Sequence, residues 1–438
     1  ENTEATLTIK RTRQPKTQNA VTVLDVCRIT PASILPEFSL TITFFDSWCL
    51  QVPAMECLFL YQLTESSPSH FNSVIVPNLK RSLSLTITHF FPLAGHLTWP
   101  THDPIPSILY KPNDYVSLTI AESTNPESFI RLAGNRPFNA SESRPYVPEL
   151  QSTDSEAAGI SLQLTFFLNH GIAIGVTFHH AFLDGKSFAL FMKAWAHMNQ
   201  QLQFSTSLDS ELIPFLDRSV VKDPEALSLK VLEHLDELRS SSAPRRSMKV
   251  PPTPDLDPTL VRATFQVSID DTRKLKELAF SELGNNENIH FSTFVLVCSH
   301  TLACFVKAKN RQLGSFKEVT CAIPAECRTY MDPPLSKNYI GNSLVSCLVK
   351  LSEEVTRGEN GFVYVAEIIS ESIRETRNKC VYQAFKDNLH PLSPPGEGEI
   401  LFMVGGSPRL EFYQIDFGWG KPVKFELTSL DWTGGISV

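Results

Sequence analysis

Residues 179–185, HHAFLDG, combine two histidines with an aspartate, residue types that proton transfer uses. Histidine ionises near neutral pH, so it can take a proton from a hydroxyl or thiol and later return it. A carboxylate four residues along can hold the imidazole in one orientation, or can shape the loop by pairing with a distant arginine. Single histidines at strand ends are often structural, so the fragment alone leaves both interpretations open.

The flanking sequence predicts the elements that position this segment. Alternating apolar residues in ISLQLTFFL and IAIGVTF, separated by Asn-His-Gly, predict a β-hairpin that ends at the histidines. Apolar residues from Phe188 to Trp195 then recur at the spacing of a buried helical face, which predicts a helix over residues 187–200. Asp184 precedes that helix in the position of a cap. Such a junction on a rigid scaffold suits catalytic side chains.

The HxxxD pattern of His180 and Asp184 resembles the first signature of the plant BAHD acyltransferases, which transfer an acyl group from coenzyme A to an alcohol or amine. Residues 416–420, DFGWG, match the second signature of that family in every letter. Five further segments are similar: TFFDSWCL (43–50), HFFPLAGHL (89–97), PFLDRSVVKDP (214–224), ECRTYMDPPL (326–335) and YIGNS (339–343). The last resembles the YFGNC element of members that acylate anthocyanins and phenolic glucosides, with Ile340 and Ser343 replacing Phe and Cys.

Length and composition bound the class of protein independently of any family. The 438 residues, 42% of them hydrophobic and 29 of them phenylalanine, can fill two or three cores of a soluble globular protein. A net charge of −8 without a long run of like charge gives nucleic-acid binding no electrostatic support. The nine cysteines lack CxxC or zinc-like spacing, so we expect reduced thiols and no metal site.

The same sequence bears on compartment and membrane association. The polar start of the chain lacks the apolar core of a secretory signal, and we expect a cytosolic monomer. Residues 291–309, FSTFVLVCSHTLACFVKAK, are apolar but interrupted by polar side chains, which favours a buried helix over a membrane span. Family members usually continue further past DFGWG than this chain does, so we expect either a truncated chain or a second domain completed in an unusual way.

Strand and helix patterns alternate in both halves, which predicts an α/β fold. A connector rich in Ser, Pro and charge occupies residues 240–258. The resemblance implies two chloramphenicol-acetyltransferase-like domains joined by a crossover, with an active-site channel between them. We therefore expect an N-terminal domain at 1–205 carrying HxxxD, a crossover region and linker at 206–258, and a C-terminal domain at 259–438 carrying DFGWG.

Four local patterns give predictions that a structure can check directly. Residues 41–46, TITFFD, and residues 261–267, VRATFQV, predict strands. Residues 76–88 predict a helix. Asp223 followed by Pro224 predicts the start of another helix, whose apolar stripe runs to residue 238.

The resemblance implies roles for individual residues. His180 would be the general base that deprotonates the acceptor hydroxyl as its oxygen attacks the thioester carbonyl, without an acyl-enzyme intermediate and without a metal. His179 would be structural. Asp184 would orient the loop through an ion pair with Arg328. Asp416 is sometimes given a catalytic part in this family, but a glycine-flanked motif with a large indole favours a packed turn, so we expect a mainly structural role.

Other side chains are candidates for substrate contacts. Ser292 and Thr293 would lie near the coenzyme in this family, with capping of their helix as the equal alternative. Arg262 is a third candidate for the coenzyme. Phe44 and Trp48 are candidates for a substrate pocket, with core packing as the alternative. Three linker residues could meet coenzyme phosphates, although a solvated linker is the default interpretation: Arg245, Arg246 and Lys249.

The substrates are inferred from resemblance to one branch. HHAFLDGKSF, KAWAH and PFLDRSVVKDP resemble the phenolic-glucoside malonyltransferases, in which malonyl-CoA is the donor and a sugar hydroxyl of a flavonoid or other phenolic glucoside is the acceptor. Some anthocyanin malonyltransferases carry an arginine that could pair with the malonyl carboxylate where this chain has Phe188. A hydroxycinnamoyl-CoA donor is therefore an alternative.

Two alternatives from other classes stay open. The condensation domains of peptide synthetases share HHxxxDG, although DFGWG and the absence of a carrier region argue against them. A non-catalytic binding protein on the same fold is the second, because a fold does not determine a function.

Overall fold

The computed structural model describes residues 20–238, 246–283, 290–313, 318–352, 361–387 and 399–438. Its strands in chain order are β1 (Val21–Ile29), β2 (Phe38–Thr41), β3 (Met55–Gln62), β4 (His96–Thr98), β5 (Ser107–Tyr110), β6 (Val116–Ser123), β7 (Phe138–Asn139), β8 (Glu156–Ala158), β9 (Ile160–Phe167), β10 (Gly171–Phe178), β11 (Val261–Arg262), β12 (Glu318–Glu326), β13 (Leu344–Ser352), β14 (Glu399–Gly405), β15 (Lys424–Leu427) and β16 (Ile436–Ser437). Its helices are α1 (Phe44–Trp48), α2 (Pro68–His70), α3 (Val76–His89), α4 (Ser128–Ala133), α5 (Gly185–Gln201), α6 (Leu227–Leu238), α7 (Ile269–Leu283), α8 (Thr293–Leu313), α9 (Gly361–Asn378) and α10 (Val381–Asp387).

Two mixed sheets carry the two halves of an α/β fold. In the described part of the chain the first has the order β1-β6-β9-β10-β3-β15, and the second has the order β13-β12-β14-β16. Each sheet has its own hydrophobic core. A smaller sheet, β2-β5-β4-β8, and a two-stranded ribbon, β11-β7, complete the strand pairing. The α/β prediction is confirmed.

The predicted hairpin occupies the middle of the first sheet. Strands β9 and β10 pair antiparallel from Ile160 opposite Phe178 to Phe167 opposite Gly171. Every residue of both strands is buried, because α3 and α5 cover one face and a second apolar cluster covers the other. Gly175 permits this close packing, since a Cβ atom there would lie 2.0 Å from the carbonyl oxygen of Tyr146.

The helix that follows the histidines is also present. It runs from Gly185 to Gln201, and the side chain of Asp184 accepts a hydrogen bond from the backbone N–H of Ser187 as its N-terminal cap. Its apolar face packs against α3, where the indole Nε1 of Trp195 donates to Ser82 Oγ at 3.0 Å. The helix therefore attaches the end of β10 to a rigid layer.

Both local strand predictions, at residues 41–46 and 261–267, are wrong in extent. Strand β2 ends at Thr41, and residues 44–48 form helix α1 instead, because Thr43 and Asp46 make reciprocal capping hydrogen bonds at its start. Strand β11 covers only Val261–Arg262 of the predicted 261–267, since its partner β7 is two residues long.

Both predicted helices are present in the structure. The helix predicted at residues 76–88 is α3, Val76–His89. The helix predicted to begin after Asp223 starts at Leu227, and the Asp223 carboxylate caps it by accepting from the backbone N–H groups of Leu227 at 2.5 Å and Ser228 at 2.9 Å.

The C-terminal part of the chain contributes one strand to the first sheet. Strand β15, which follows DFGWG, pairs antiparallel with β3, and β11 pairs with β7 beside the first half. The predicted C-terminal domain at 259–438 therefore does not coincide with the second sheet. This range also contributes β15, which is an edge strand of the first sheet. Long-range pairing of this kind leaves no mark on local periodicity.

Residues 293–309 of the apolar stretch lie in α8, which packs with α9 in the second core. Within the described ranges no helix combines the length and the apolar character needed to cross a bilayer. All nine cysteines are unpaired in this structure. The described residues contain no cluster of three or more His, Cys, Asp or Glu side chains placed to hold a metal ion.

Candidate active site

The turn between β10 and α5 presents the two histidines in different environments. His179 is buried, and its Nδ1 accepts a hydrogen bond from the backbone N–H of Ala181 at 3.1 Å. Burial, with a smaller contribution from the neighbouring His180, lowers the pKa of His179 to about 3. His179 therefore remains neutral and shapes the turn, in agreement with the structural role expected for it.

His180 is half-buried, and of its two ring nitrogens only Nδ1 is buried without a hydrogen-bond partner among the described residues. Nε2 is therefore the nitrogen that can meet a substrate. Burial lowers the pKa of His180 below its ordinary value of 6.5, although the charges of Asp184 and Asp46 oppose the shift. The neutral imidazole, which is the form that accepts a proton, prevails at neutral pH.

Asp184 and Arg328 form the ion pair that was expected of them. Arg328 Nη1 lies 2.8 Å from one carboxylate oxygen and Nη2 lies 3.0 Å from the other, and both side chains are 0% exposed. Burial alone would raise the pKa of Asp184, but the charge and hydrogen bonds of Arg328 hold it below the ordinary value. The aspartate is thus ionised and directed at the arginine.

The same ion pair connects the two halves of the chain. Asp184 also accepts from the backbone N–H groups of Ser187 at 2.8 Å and Ser343 at 3.2 Å. Arg328 donates to the carbonyl oxygens of Tyr339 at 3.1 Å and Gly341 at 3.0 Å. The Asp184–Arg328 pair therefore holds the start of α5 and the YIGNS segment together next to the histidine turn.

A second buried ion pair, Asp46 with Arg218, lies beside the first. The Arg218 Nη1 to Asp46 Oδ2 distance is 3.0 Å, and the side chains are 2% and 0% exposed. Arg218 also donates to the carbonyl oxygens of Ala181 at 3.3 Å and Phe182 at 2.9 Å. This pair therefore also holds the histidine turn in place, through the carbonyl oxygens of Ala181 and Phe182.

Sequence analysis did not single out Asp46 or Arg218. Each lies in a segment noted for its similarity, TFFDSWCL or PFLDRSVVKDP, and Asp46 stands among aromatic residues. A charged residue inside an apolar segment is buried only when paired. That rule could have marked both residues, but it could not have paired them.

Asn342 of the YIGNS segment joins the Asp46–Arg218 pair to the histidine turn. Its Nδ2 donates to Asp46 Oδ1 at 2.9 Å and to the carbonyl oxygen of His180 at 2.7 Å. Its backbone N–H donates to the same Asp46 oxygen at 2.8 Å. The histidine turn is consequently held by three segments that are far apart in sequence.

Phe44 lines a cavity of about 710 Å³ between the β2–α1 segment and residues 216–228. Phe44 is fully buried and also packs against Phe385 of α10, with ring centroids 4.7 Å apart. The cavity wall includes Arg218, which contacts the histidine turn, but it does not include His180. Trp48 does not line this cavity and instead stacks on His234 with ring planes 6° apart.

Ser292 and Thr293 stand at the start of α8. The hydroxyl of Ser292 accepts from the backbone N–H of Val295 at 3.3 Å, and Thr293 is the first helical residue. The capping alternative therefore describes what Ser292 does in this structure. Contact with the coenzyme remains a prediction for both residues.

Arg262 is occupied by carboxylates rather than presented to solvent. It contacts both carboxylate oxygens of Asp431 and lies 3.3 Å from Glu426, with 12% of its side chain exposed. A coenzyme phosphate would have to displace these partners. Of the linker residues, Arg245 lies outside the described residues, and Arg246 donates to the carbonyl oxygen of Asp103 at 2.7 Å.

The DFGWG motif forms a packed turn. The Oδ1 atom of Asp416 accepts from the backbone N–H groups of Gly418 at 2.7 Å and Gly420 at 2.9 Å. The backbone φ angles of Gly418 and Gly420 are +105° and +109°, a region that residues with a side chain rarely adopt. Phe417 and Trp419 stack with ring centroids 5.5 Å apart. These contacts support the structural interpretation of Asp416.

Replacing Asp416 with alanine removes the acceptor of two backbone N–H groups. We expect D416A to lower the free energy of unfolding by about 1–2 kcal/mol, because hydrogen bonds to a charged acceptor contribute on this scale and the site is partly exposed. D416N retains one acceptor oxygen and is the matched control, with a smaller loss. Urea denaturation measures both, and a D416A protein as stable as wild type would contradict the structural role.

This chain is similar to known proteins over most of its length. A model of the Transferase family matches residues 19–436. Phenolic glucoside malonyltransferase 1 of Arabidopsis thaliana is 36% identical, over 96% of this chain and 91% of its own. Agmatine coumaroyltransferase of the same plant is 35% identical, over 94% and 90%. The crystal structure of vinorine synthase aligns with a TM-score of 0.66 at 21% identity, over 93% of this chain and 88% of its own, which supports a shared fold.

Proposed function

The chain belongs to the BAHD acyltransferase family, and from that premise we propose that it transfers a malonyl group from malonyl-CoA to a hydroxyl of a phenolic or flavonoid glucoside. The observation that carries the proposal is the histidine turn. It holds one neutral, partly accessible imidazole between two fully buried ion pairs. A rigid base of this kind suits deprotonation of a hydroxyl.

In the proposed reaction His180 acts as general base. Its Nε2 takes the proton from the acceptor hydroxyl while the hydroxyl oxygen bonds to the thioester carbonyl carbon, which forms a tetrahedral oxyanion. The oxyanion collapses by breaking the carbon–sulfur bond. The thiolate of coenzyme A then receives the proton from the His180 imidazolium, which restores the neutral base.

We propose direct transfer, without an acyl-enzyme. The thiols beside the two ion pairs are poor nucleophiles, because burial raises the pKa of Cys49 well above its usual range and raises that of Cys327 to about 12. A thiol is nucleophilic only as the thiolate. The acceptor oxygen activated by His180 is therefore the nucleophile in this proposal.

The cavity beside Arg218 supports an aromatic acceptor. Its volume of about 710 Å³ lies within the range of small-molecule sites, and phenylalanine side chains contribute to its wall. An aromatic aglycone in this space would have the histidine turn at the Arg218 end, since Arg218 contacts the carbonyl oxygens of Ala181 and Phe182.

A hydroxycinnamoyl donor is the second candidate, and the environment of Phe188 favours it. Phe188 is 1% exposed and packs against Phe178 with ring centroids 4.8 Å apart, so this position cannot present a cation to a malonyl carboxylate. Lys186 is partly exposed but lies 3.7 Å from Glu326. The coumaroyltransferase relative, at 35% identity, is nearly as similar as the malonyltransferase at 36%.

A matrix of donors and acceptors tests the proposal. Purified protein is incubated with malonyl-, acetyl- or coumaroyl-coenzyme A and a panel of flavonoid and simple phenolic glucosides, and products are identified by mass. We expect a malonyl adduct on the sugar, with the corresponding aglycones as matched controls that remain unmodified. Transfer of coumaroyl alone would select the second candidate, and no transfer from any donor would contradict the proposal.

A further inference from the structure

We propose that His300 and Cys304, neighbours on one exposed face of α8, form a two-ligand binding site for Zn²⁺. The Sγ atom of Cys304 lies 3.8 Å from Nε2 of His300. Both residues are exposed, so an ion can reach them from solvent. Neither residue belongs to the candidate active site, and the inference does not depend on the proposed acyl transfer.

The position of the pair on α8 brings the two side chains together. His300 and Cys304 are four residues apart, and side chains at this spacing lie above one another on one face of a helix. The same spacing places the two histidine ligands of HExxH metalloproteases on one zinc ion. The spacing of the cysteines alone gave no sign of this pair, because one of its two ligands is a histidine.

The separation of the two ligand atoms fits a tetrahedral zinc ion. Zinc binds thiolate sulfur at about 2.3 Å and imidazole nitrogen at about 2.0–2.1 Å, and a tetrahedral angle between these bonds places sulfur and nitrogen about 3.6 Å apart. The observed distance is 3.8 Å. A small rotation of the side chains therefore suffices to bind the ion, with no change in the helix backbone.

Packing restrains the imidazole ring. The ring of His300 meets Phe362 of α9 edge to face, with centroids 6.0 Å apart and ring planes at 78°. Phe362 belongs to the second hydrophobic core, to which α8 contributes Leu302 and Val306. Ligands carried by a rigid helix are held more precisely than ligands on a loop. The two side chains are therefore close to their bound geometry in the free protein.

The ligand types determine which ions the pair selects. A thiolate and an imidazole favour zinc and other soft or borderline transition metals over Mg²⁺ and Ca²⁺, which prefer oxygen ligands. Within the described ranges no third His, Cys, Asp or Glu side chain completes the set, so water occupies the remaining positions on the ion. Binding is consequently weaker than in four-ligand structural sites, and we expect a Kd on the order of 10 µM.

A thiol–imidazole hydrogen bond is the competing interpretation of the contact between the two side chains. It involves no metal ion, and a thiol is a weak donor that can make such a bond. The two interpretations differ in what happens when zinc is added. The hydrogen bond alone predicts no specific binding at this face of α8, whereas the ligand pair predicts one zinc ion whose affinity depends on both residues.

Titration calorimetry of the full chain with ZnCl₂, with the thiols kept reduced by a phosphine, tests the proposal. We expect the wild type to bind one zinc ion that H300A and C304S each bind at least about tenfold more weakly, because the loss of an outer-shell partner alone costs that much. Both residues are exposed, so the variants should fold, and circular dichroism checks that they do.

C380S is the matched control. Cys380 is the other exposed cysteine, and it lies outside α8. We expect C380S to keep the wild-type affinity for zinc. Equal affinity in the wild type, H300A and C304S would overturn the proposal, because other side chains would then hold the ion. Loss of binding in C304S but not in H300A would also overturn it, since a thiol would then act without the imidazole.

Cobalt substitution identifies the ligand atoms directly. Co²⁺ bound to a thiolate shows a sulfur-to-metal charge-transfer absorption in the near ultraviolet, which histidine and carboxylate ligands do not produce. We expect this absorption in the wild type and in C380S, and its loss in C304S. A cobalt complex of the wild type without the absorption, or an absorption that persists in C304S, would overturn the assignment of Cys304 as a ligand.

Discussion

Replacing His180 with alanine is expected to abolish measurable acyl transfer, with kcat lowered by about 10²–10⁴-fold or more, because general acid–base catalysis contributes on that scale. The protein should still fold. His180 is half-buried, and its main-chain carbonyl keeps the hydrogen bond from Asn342 when the ring is removed. Steady-state kinetics and thermal denaturation of the same preparation check both parts of the prediction.

His170→Ala is the matched control for this variant. His170 stands in the turn at the opposite end of β10, and its ring stacks on Phe129 and lies 3.3 Å from Glu127. The H170A variant loses an imidazole of similar burial from the same hairpin, and we expect it to have the kcat of the wild type. An H180A protein that retained half of the wild-type kcat would contradict the base mechanism, and a misfolded H180A would move the test to H180Q.

Replacing Asp184 with alanine is expected to lower the free energy of unfolding by about 3–5 kcal/mol, because it leaves the buried Arg328 charge without its partner. Arg328 is 0% exposed and cannot be solvated without disturbing the turn. The same variant should lose activity, since the cap of α5 and the bond to the Ser343 backbone disappear with the carboxylate. Denaturant unfolding and kcat measure the two effects.

An exposed ion pair from the same helix provides the control. Lys193 of α5 lies 2.7 Å from Glu411, with side chains 32% and 58% exposed. We expect E411A to cost less than about 1 kcal/mol, since solvent screens such pairs. If D184A and E411A were equally mild, burial of the Asp184–Arg328 pair would not be the source of its stabilisation.

The contribution of Asp184 to stability should also depend on pH in one direction. Arg328 holds the folded-state pKa below the unfolded value of about 3.8, so the ionised carboxylate stabilises the fold fully above that value. The contribution is lost as pH falls through the lower, folded-state pKa. The difference in stability between wild type and D184A should therefore shrink below pH 3.8 and remain constant near neutrality.

Local pattern predicted the elements around the site well. The hairpin of β9 and β10 and helix α5 follow directly from the period-2 and period-3.6 spacing of apolar residues, because both elements bury their apolar faces in one core. The pattern failed at residues 44–48. The β-branched residues at 41–43 and the two phenylalanines that follow favour a strand, but the Thr43–Asp46 capping hydrogen bonds start a helix at Phe44.

Tertiary partners were predictable only where motif resemblance supplied them. The ion pair of Asp184 with Arg328 came from two motifs, whereas the equally buried pair of Asp46 with Arg218 was missed. The residues of the missed pair are 172 positions apart. No local spacing connects residues at that separation, and the same reason hides the return of β15 to the first sheet.

The candidate coenzyme contacts show a different limit. Serine at the start of a helix is chemically suited both to capping and to binding a ligand, and the structure gives Ser292 the capping bond. Arg262 has the charge that a phosphate needs, but that charge is directed at Asp431 and Glu426. Residue type predicts what a side chain can bind, whereas the fold decides what lies next to it.

The most direct test of direct acyl transfer is the stoichiometry of the reaction catalysed by the wild-type protein. With malonyl-coenzyme A and an accepted glucoside, coenzyme A release is followed as free thiol and ester formation as product mass, while intact-protein mass is recorded after exposure to donor alone. We expect one ester for each thiol, thiol release only when the acceptor is present, and an unmodified protein mass. Release of thiol without acceptor, accompanied by an acyl adduct on the protein that later passes to the glucoside, would contradict direct transfer.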